Sequence, residues 1–214
     1  MKAIIFDMDG TMVDNMMIHH KAWQETLLEL GLDWDLEKIR QEVHGVNVEI
    51  LKRLFGSRFN SEERETISFE KEERYRQIYK PDLKLIKGLT TFLDQLSKKG
   101  IPLAVGSAAP PGNVDFVLDN LKLRDKFLYV LHSDSVSQGK PHPEIYLKLS
   151  ALLGYEPKDI VVFEDSPTGA KAASEAGCPC VVITTTHTAH EFEGISGIVR
   201  FIEDYSGFEI EDIQ

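Results

Sequence analysis

Residues 3–11 read Ala3-Ile4-Ile5-Phe6-Asp7-Met8-Asp9-Gly10-Thr11, four consecutive apolar side chains that run straight into acid and glycine. A short apolar run of this kind is the pattern of a strand buried on both faces, as parallel sheets require. The pattern recurs at Ile101 to Val105, Phe127 to Leu131, Ile160 to Phe163 and Val181 to Thr184, and in weaker form at Ile198 to Ile202. Helical spacing fills the intervals. Leu89, Phe92, Leu93 and Leu96 lie on one face before Gly100, and Val114, Val117, Leu118 and Leu121 on another. Strand alternating with helix predicts an α/β fold in three layers, with helices on both faces of an open parallel sheet. Right-handed crossovers then place the ligand at the carboxyl ends of the strands.

One interval breaks the alternation. From Asn15 to Asp82 no strand pattern occurs, while Ala22, Trp23, Leu27 and Leu30 before Gly31, and Ile50, Leu51, Leu54 and Phe55 before Gly56, read as amphipathic helices stopped by glycine. Asn60 with Glu63 three residues on predicts a capping box, opening a helix that Pro81 closes. The charged run Glu62 to Arg76 within it reads as a solvated face. We therefore expect residues 1–14 and 83–214 to form the α/β core and residues 15–82 an inserted all-α unit. It follows the first strand, so it is expected to cover the site and to move.

Composition sets the outer limits. With 214 residues, 42% hydrophobic and 28% charged, the chain has enough apolar material for a packed core and is too polar for a membrane protein. Its net charge of −11, of which −3 falls in the insertion and −8 in the rest, disfavours nucleic acid and anionic lipid as partners. No stretch approaches the ~20 apolar residues of a membrane span. Cys178 and Cys180, one residue apart, supply neither a disulfide framework nor a zinc set, and read as buried thiols in a reducing compartment. His187, His190 and Glu191 lack a further ligand at sensible spacing for zinc. A cytoplasmic monomer with no membrane or nucleic-acid partner is the expectation.

The chemistry gathers after the strands. Asp7-Met8-Asp9-Gly10-Thr11, Ser107, Lys140 before Pro141, and Glu164-Asp165 each follow a predicted strand, so a parallel sheet brings them to one edge. Carboxylates crowded in this way repel one another unless a cation sits among them, and an all-oxygen set favours Mg2+. Lys140 suits an anion instead. Magnesium plus an anion site points to phosphoryl chemistry on a small phosphorylated metabolite.

These four segments, in this order, resemble the signatures of the haloacid dehalogenase superfamily over nearly the whole chain. The resemblance implies a Rossmann-like core with a helical cap, Asp7 as nucleophile forming an aspartyl-phosphate, and Asp9 as general acid and base. It further implies that Asp165 ligates Mg2+ with Asp7 and the Asp9 backbone carbonyl, that Glu164 assists, and that Ser107 hydrogen-bonds the phosphoryl group, with Thr11 and Ala108 as substrate-binding residues. Members that displace halide lack the second aspartate, so Asp9 argues against that branch. Asp14-Asn15, His19 with Trp23, His44-Gly45-Val46 and Gly139-Lys140-Pro141 before Pro143 are similar to the β-phosphoglucomutase and sugar-phosphate phosphatase group. His19 and His44 are candidate substrate residues there, and Trp23 either lines the substrate cleft or fills the insertion's core.

Mutase and phosphatase differ in what must be gripped. A mutase holds a bisphosphate and needs extra cationic donors, where this chain has His44 and Val48 in the insertion, and Ala109 and Pro110 after Ser107. Asn113 supplies an amide nearby. Each absent cationic contact is worth roughly 1.5–3 kcal/mol. The expectation is a Mg2+-dependent phosphatase of a small, sugar-like phosphomonoester, with mutase as the second reading. A phospho-accepting signalling module, which also uses a strand-end aspartate, magnesium and a lysine, ranks third because of the chain length and the Asp9-Gly10-Thr11 continuation.

Overall fold

The computed structural model describes residues 1–213. Six strands form, β1 (Ala3–Phe6), β2 (Leu103–Gly106), β3 (Tyr129–Leu131), β4 (Ile160–Glu164), β5 (Cys180–Ile183) and β6 (Ile198–Ile202). They make one sheet in the order β3-β2-β1-β4-β5-β6, with every pairing parallel. Two-sided burial explains the unbroken apolar runs. Every residue of β1, β2, β4 and β5 is buried, whereas the edge strands β3 and β6 are half-exposed or exposed, and of these two only β6 has a weakened apolar pattern. β2 begins two residues later than its apolar run, because Pro102 has no N–H to donate to the ladder, though its carbonyl still accepts from Ile4 at 3.0 Å.

Alternation along β1 divides the core between two layers. Ala3 and Ile5 pack with Ile145, Tyr146 and Leu149 of α7 (Glu144–Leu153) and with the alanines of α8 (Pro167–Ala176). On the other face Phe6 stacks on Phe163 at 4.9 Å and meets Tyr205 and, from the helix Leu89–Lys98, Phe92. The remaining core helix is Pro111–Asn120. Rossmann-like α/β architecture in three layers is thus the observed fold.

The chain divides into two compact units, Met1–Asp14 with Leu83–Gln214, and Asn15–Asp82. The second is all helical: α1 (Met16–Glu29), α2 (Leu36–Glu42), α3 (Asn47–Phe55) and α4 (Ser61–Tyr79), so the core helices Leu89–Lys98 and Pro111–Asn120 become α5 and α6. Its own core is Trp23, Leu27, Ile39, Val43, Ile50 and Leu51. The Asn60–Glu63 capping box forms in both directions, at 2.9 and 2.8 Å. One expectation fails: the run Glu62 to Arg76 is not a solvated face throughout, because Lys71 and Glu72 are buried with Tyr75 and Tyr79. Lys71, Tyr75 and Tyr79 recur at four-residue spacing, but a stripe of ammonium and phenol carries no hydropathy signal. Among the described residues no helix is long and apolar enough to cross a membrane.

Candidate active site

Register builds the site. Phe6 pairs with Val105 on one side and Phe163 on the other, so Asp7, Gly106 and Glu164 leave the sheet at one level. The Asp7 amide continues the ladder to the Phe163 carbonyl at 2.9 Å. Strand order reverses here: β2 and β3 lie to one side of β1, and β4 to β6 to the other. Ligands of open α/β sheets bind at such a switch point.

Lys140 reaches into it from the loop before α7. Its ammonium donates to Asp7 Oδ1 at 2.6 Å, to Glu164 Oε1 at 2.6 Å and to the Gly106 carbonyl at 3.1 Å. Burial alone would lower the lysine pKa, but the two carboxylates outweigh it and raise it. Glu164 accepts more than Lys140. Tyr146 donates to Oε1 at 2.8 Å, while Oε2 takes the Asp165 amide at 3.0 Å, the Ser166 amide at 3.1 Å and the Ser166 hydroxyl at 3.0 Å. A carboxylate offers about four lone-pair sites, so this one is fully engaged. Burial opposes its ionisation, but Lys140 and these donors hold its pKa below the ordinary value.

Asp7 and Asp165 are less well compensated. Burial, with the neighbouring Glu164 and Asp165 charges, raises Asp7 well above the usual range despite Lys140, and burial with Glu164 pushes Asp165 up to about 7. One oxygen from each of Asp7, Glu164 and Asp165 lies within 4.8 Å of the others. Three carboxylates and one ammonium leave a formal charge of −2, which a single divalent cation would offset. All-oxygen donors, buried together and short of positive charge, fit Mg2+. Two glycines make the close approach possible. Gly10 adopts φ +77°, and a Cβ there would stand 2.0 Å from Asp165 Oδ2, while a Cβ on Gly169, in the first turn of α8, would stand 1.7 Å from Glu164 Oε1.

The other singled-out core residues lie along the same edge. Asp9 is half-buried in the tight turn where the Gly10 amide donates to the Val13 carbonyl at 2.7 Å. Thr11 is buried with its hydroxyl unpartnered, and its carbonyl accepts from Tyr205 at 3.0 Å. Ser107 follows β2, buried, its hydroxyl accepting the Ala109 amide at 3.0 Å; Ala108 between them is exposed, and Asn113 is buried on α6.

His19, Trp23 and His44 belong to the helical unit. His19 stacks on Tyr75 with centroids 3.9 Å apart, and its Nδ1 accepts Lys71 Nζ at 2.9 Å. Burial and that ammonium lower its pKa to about 3, so the ring is neutral. Lys71 also pairs with Glu72 at 2.9 Å, which in turn accepts from Asn47 at 2.7 Å. Trp23 sits in the unit's apolar core with the Lys71 ammonium 5.5 Å from its ring. His44 is exposed, its Nε2 2.7 Å from the Gln41 carbonyl. Tyr146, Gly169, Lys71 and Glu72 escaped the sequence reading; only Tyr146, a lone phenol on an apolar helix face, offered a signal. Both cysteines are free and buried, and His187 and His190 pair with Glu191 and Glu193.

Residues 1–177 match the haloacid dehalogenase-like hydrolase family. The chain belongs to that family. Among relatives of this haloacid dehalogenase-like enzyme, a phosphorylated carbohydrates phosphatase of Thermotoga maritima is 31% identical over 83% of this chain and 82% of its own. The β-phosphoglucomutase of Bacillus subtilis is 28% identical, over 83% and 80% respectively. A crystal structure of a CbbY protein from Rhodobacter sphaeroides, in complex with xylulose-(1,5)bisphosphate, superposes with a TM-score of 0.85 at 27% identity, covering 100% of this chain and 99% of that one.

Proposed function

We propose that this haloacid dehalogenase-like enzyme is a Mg2+-dependent phosphatase that hydrolyses a small sugar phosphomonoester through an aspartyl-phosphate on Asp7. The observation that carries the reading is the placement of Asp7 at the switch point, held by Lys140 at 2.6 Å. In the first step an Asp7 carboxylate oxygen attacks phosphorus, the bond to the sugar oxygen breaks, and Asp9 protonates that leaving oxygen. In the second, Asp9 takes a proton from water, the water oxygen attacks phosphorus, and inorganic phosphate leaves as Asp7 is restored. Lys140 and the Ser107 loop neutralise and orient the phosphoryl oxygens.

Asp7, Asp165 and the Asp9 carbonyl are the groups to hold Mg2+, which would supply charge neutralisation at the phosphoryl group. Glu164, its lone pairs engaged, is assigned to anchoring Lys140 and the loop before α8. Substrate selectivity is assigned to the inserted helical unit acting as a cap, with His19, Trp23 and His44 the first residues to vary.

A phosphate-release screen across sugar phosphates, nucleotides and pyrophosphate, with and without chelator, tests the proposal. Release from sugar phosphates that EDTA abolishes supports it; no release from any phosphomonoester refutes it. The similarity to the Bacillus subtilis β-phosphoglucomutase supports a second reading, a phosphomutase. Incubation with β-glucose 1-phosphate and a bisphosphate activator separates them: glucose 6-phosphate without free phosphate would make the enzyme a mutase. A purified chain that holds phosphate for hours and hydrolyses nothing would instead be a phospho-accepting module.

A further inference from the structure

Beyond its last paired residue, β5 continues as Thr184-Thr185-Thr186. The Thr184 amide still follows the ladder, donating to the Ile202 carbonyl at 2.8 Å. The next two residues turn toward the loop after β1. Thr185 donates its hydroxyl to the Gly10 carbonyl. Thr186 has its hydroxyl buried, outside regular hydrogen-bond geometry but close enough to the Asp165 carboxylate for a hydrogen bond between them to work against the burial that raises the Asp165 pKa. The same spot beside the Gly10 Cα is approached by both groups: a Cβ built there would lie 2.0 Å from Asp165 Oδ2 and 2.8 Å from Thr186 Oγ1. The absence of a side chain at Gly10 therefore lets the carboxylate and the hydroxyl share one spot.

A buried hydroxyl is stabilised in the folded state by an acceptor to which it can donate. Its location against an ionisable carboxylate gives it a use. We propose that Thr186 is a positioning residue, whose hydroxyl donates to the Asp165 carboxylate and fixes the orientation in which that group binds a divalent cation. Thr185 completes the clamp by tying the loop after β1, with Asp7 and Asp9, to the same segment. Outer-shell hydrogen bonds of this kind orient metal-binding carboxylates, and their loss typically weakens metal affinity about 10- to 100-fold. The inference rests on the Mg2+ reading of the site.

Titration calorimetry of Mg2+ into the metal-stripped full chain tests it, with melting in EDTA as the control for folding. T186V keeps the volume and removes the donor, so its Mg2+ affinity should fall about tenfold or more, with a cooperative melting transition in EDTA showing that the variant is folded. T186S restores the hydroxyl and should bind Mg2+ as wild type does. Wild-type affinity in T186V, or T186S as weak as T186V, would overturn the proposal. If T186V does not fold, T186A provides the same comparison with T186S. Failure of the wild type itself to bind Mg2+ would overturn the metal reading, and with it this inference, whatever the variants do.

Discussion

Lys140 and Glu164 meet at 2.6 Å with side chains 7% and 1% exposed. The contact brings the loop before α7 against the end of β4, and the same lysine oxygen partner also accepts from Tyr146. A buried ammonium shared by two carboxylates ties three chain segments to one point, and its removal isolates buried charge. Lys140→Met should therefore lower stability in EDTA by about 3–5 kcal/mol. Mg2+ should restore part of that loss, since it also offsets the carboxylates. Urea unfolding with and without Mg2+ reads both effects, and an EDTA stability equal to wild type would contradict the geometry.

Asp7→Asn keeps the side-chain shape and removes the nucleophile. Phosphate release should drop on the order of 10³-fold or more, as for other attacking residues. The circular dichroism spectrum should not change, because Asn can still accept from Lys140. Near-normal turnover would end the phosphoenzyme mechanism.

Gly169→Ala introduces a methyl where 1.7 Å separates the new carbon from Glu164 Oε1. Glu164 accepts from five donors, so it has no room to withdraw without breaking some of them. A loss of about 1–3 kcal/mol, the scale of overpacking, is expected together with a fall in turnover. Unchanged melting temperature and activity would contradict the close contact between Gly169 and Glu164.

His19 gives the enzyme an acid limb of its own. Its pKa is about 3 in the folded protein against an ordinary 6.5, so below pH 6.5 the unfolded chain binds a proton that the native state refuses. The contribution is fully present above pH 6.5 and is lost as pH falls toward 3, at about 1.4 kcal/mol per unit. Comparing wild type with His19→Gln by denaturant unfolding from pH 6.5 to 4 should show a flatter profile in the variant. Parallel profiles would mean that His19 takes up its proton without unfolding.

By itself the sequence determined the sheet and the chemistry of its edge. Burial on both faces leaves an unbroken apolar run such as Ala3 to Phe6, a local signal, and the polar residues that follow each run mark where a parallel sheet delivers its side chains. The capping box at Asn60 was equally legible because both partners lie within one turn. What the tertiary structure decided is pairing over long separations. Lys140 and Asp7 are 133 residues apart, and nothing local says that the ammonium lies between Asp7 and Glu164. The same holds for Glu164, whose five donors come from the Lys140 loop, α7 and the residues just after β4. It holds for Lys71 and Glu72, charged residues whose burial is compensated by partners that include His19, Asn47 and each other. A buried charge is permitted by its partners, and partners brought together by the fold are what a linear pattern of hydropathy cannot display.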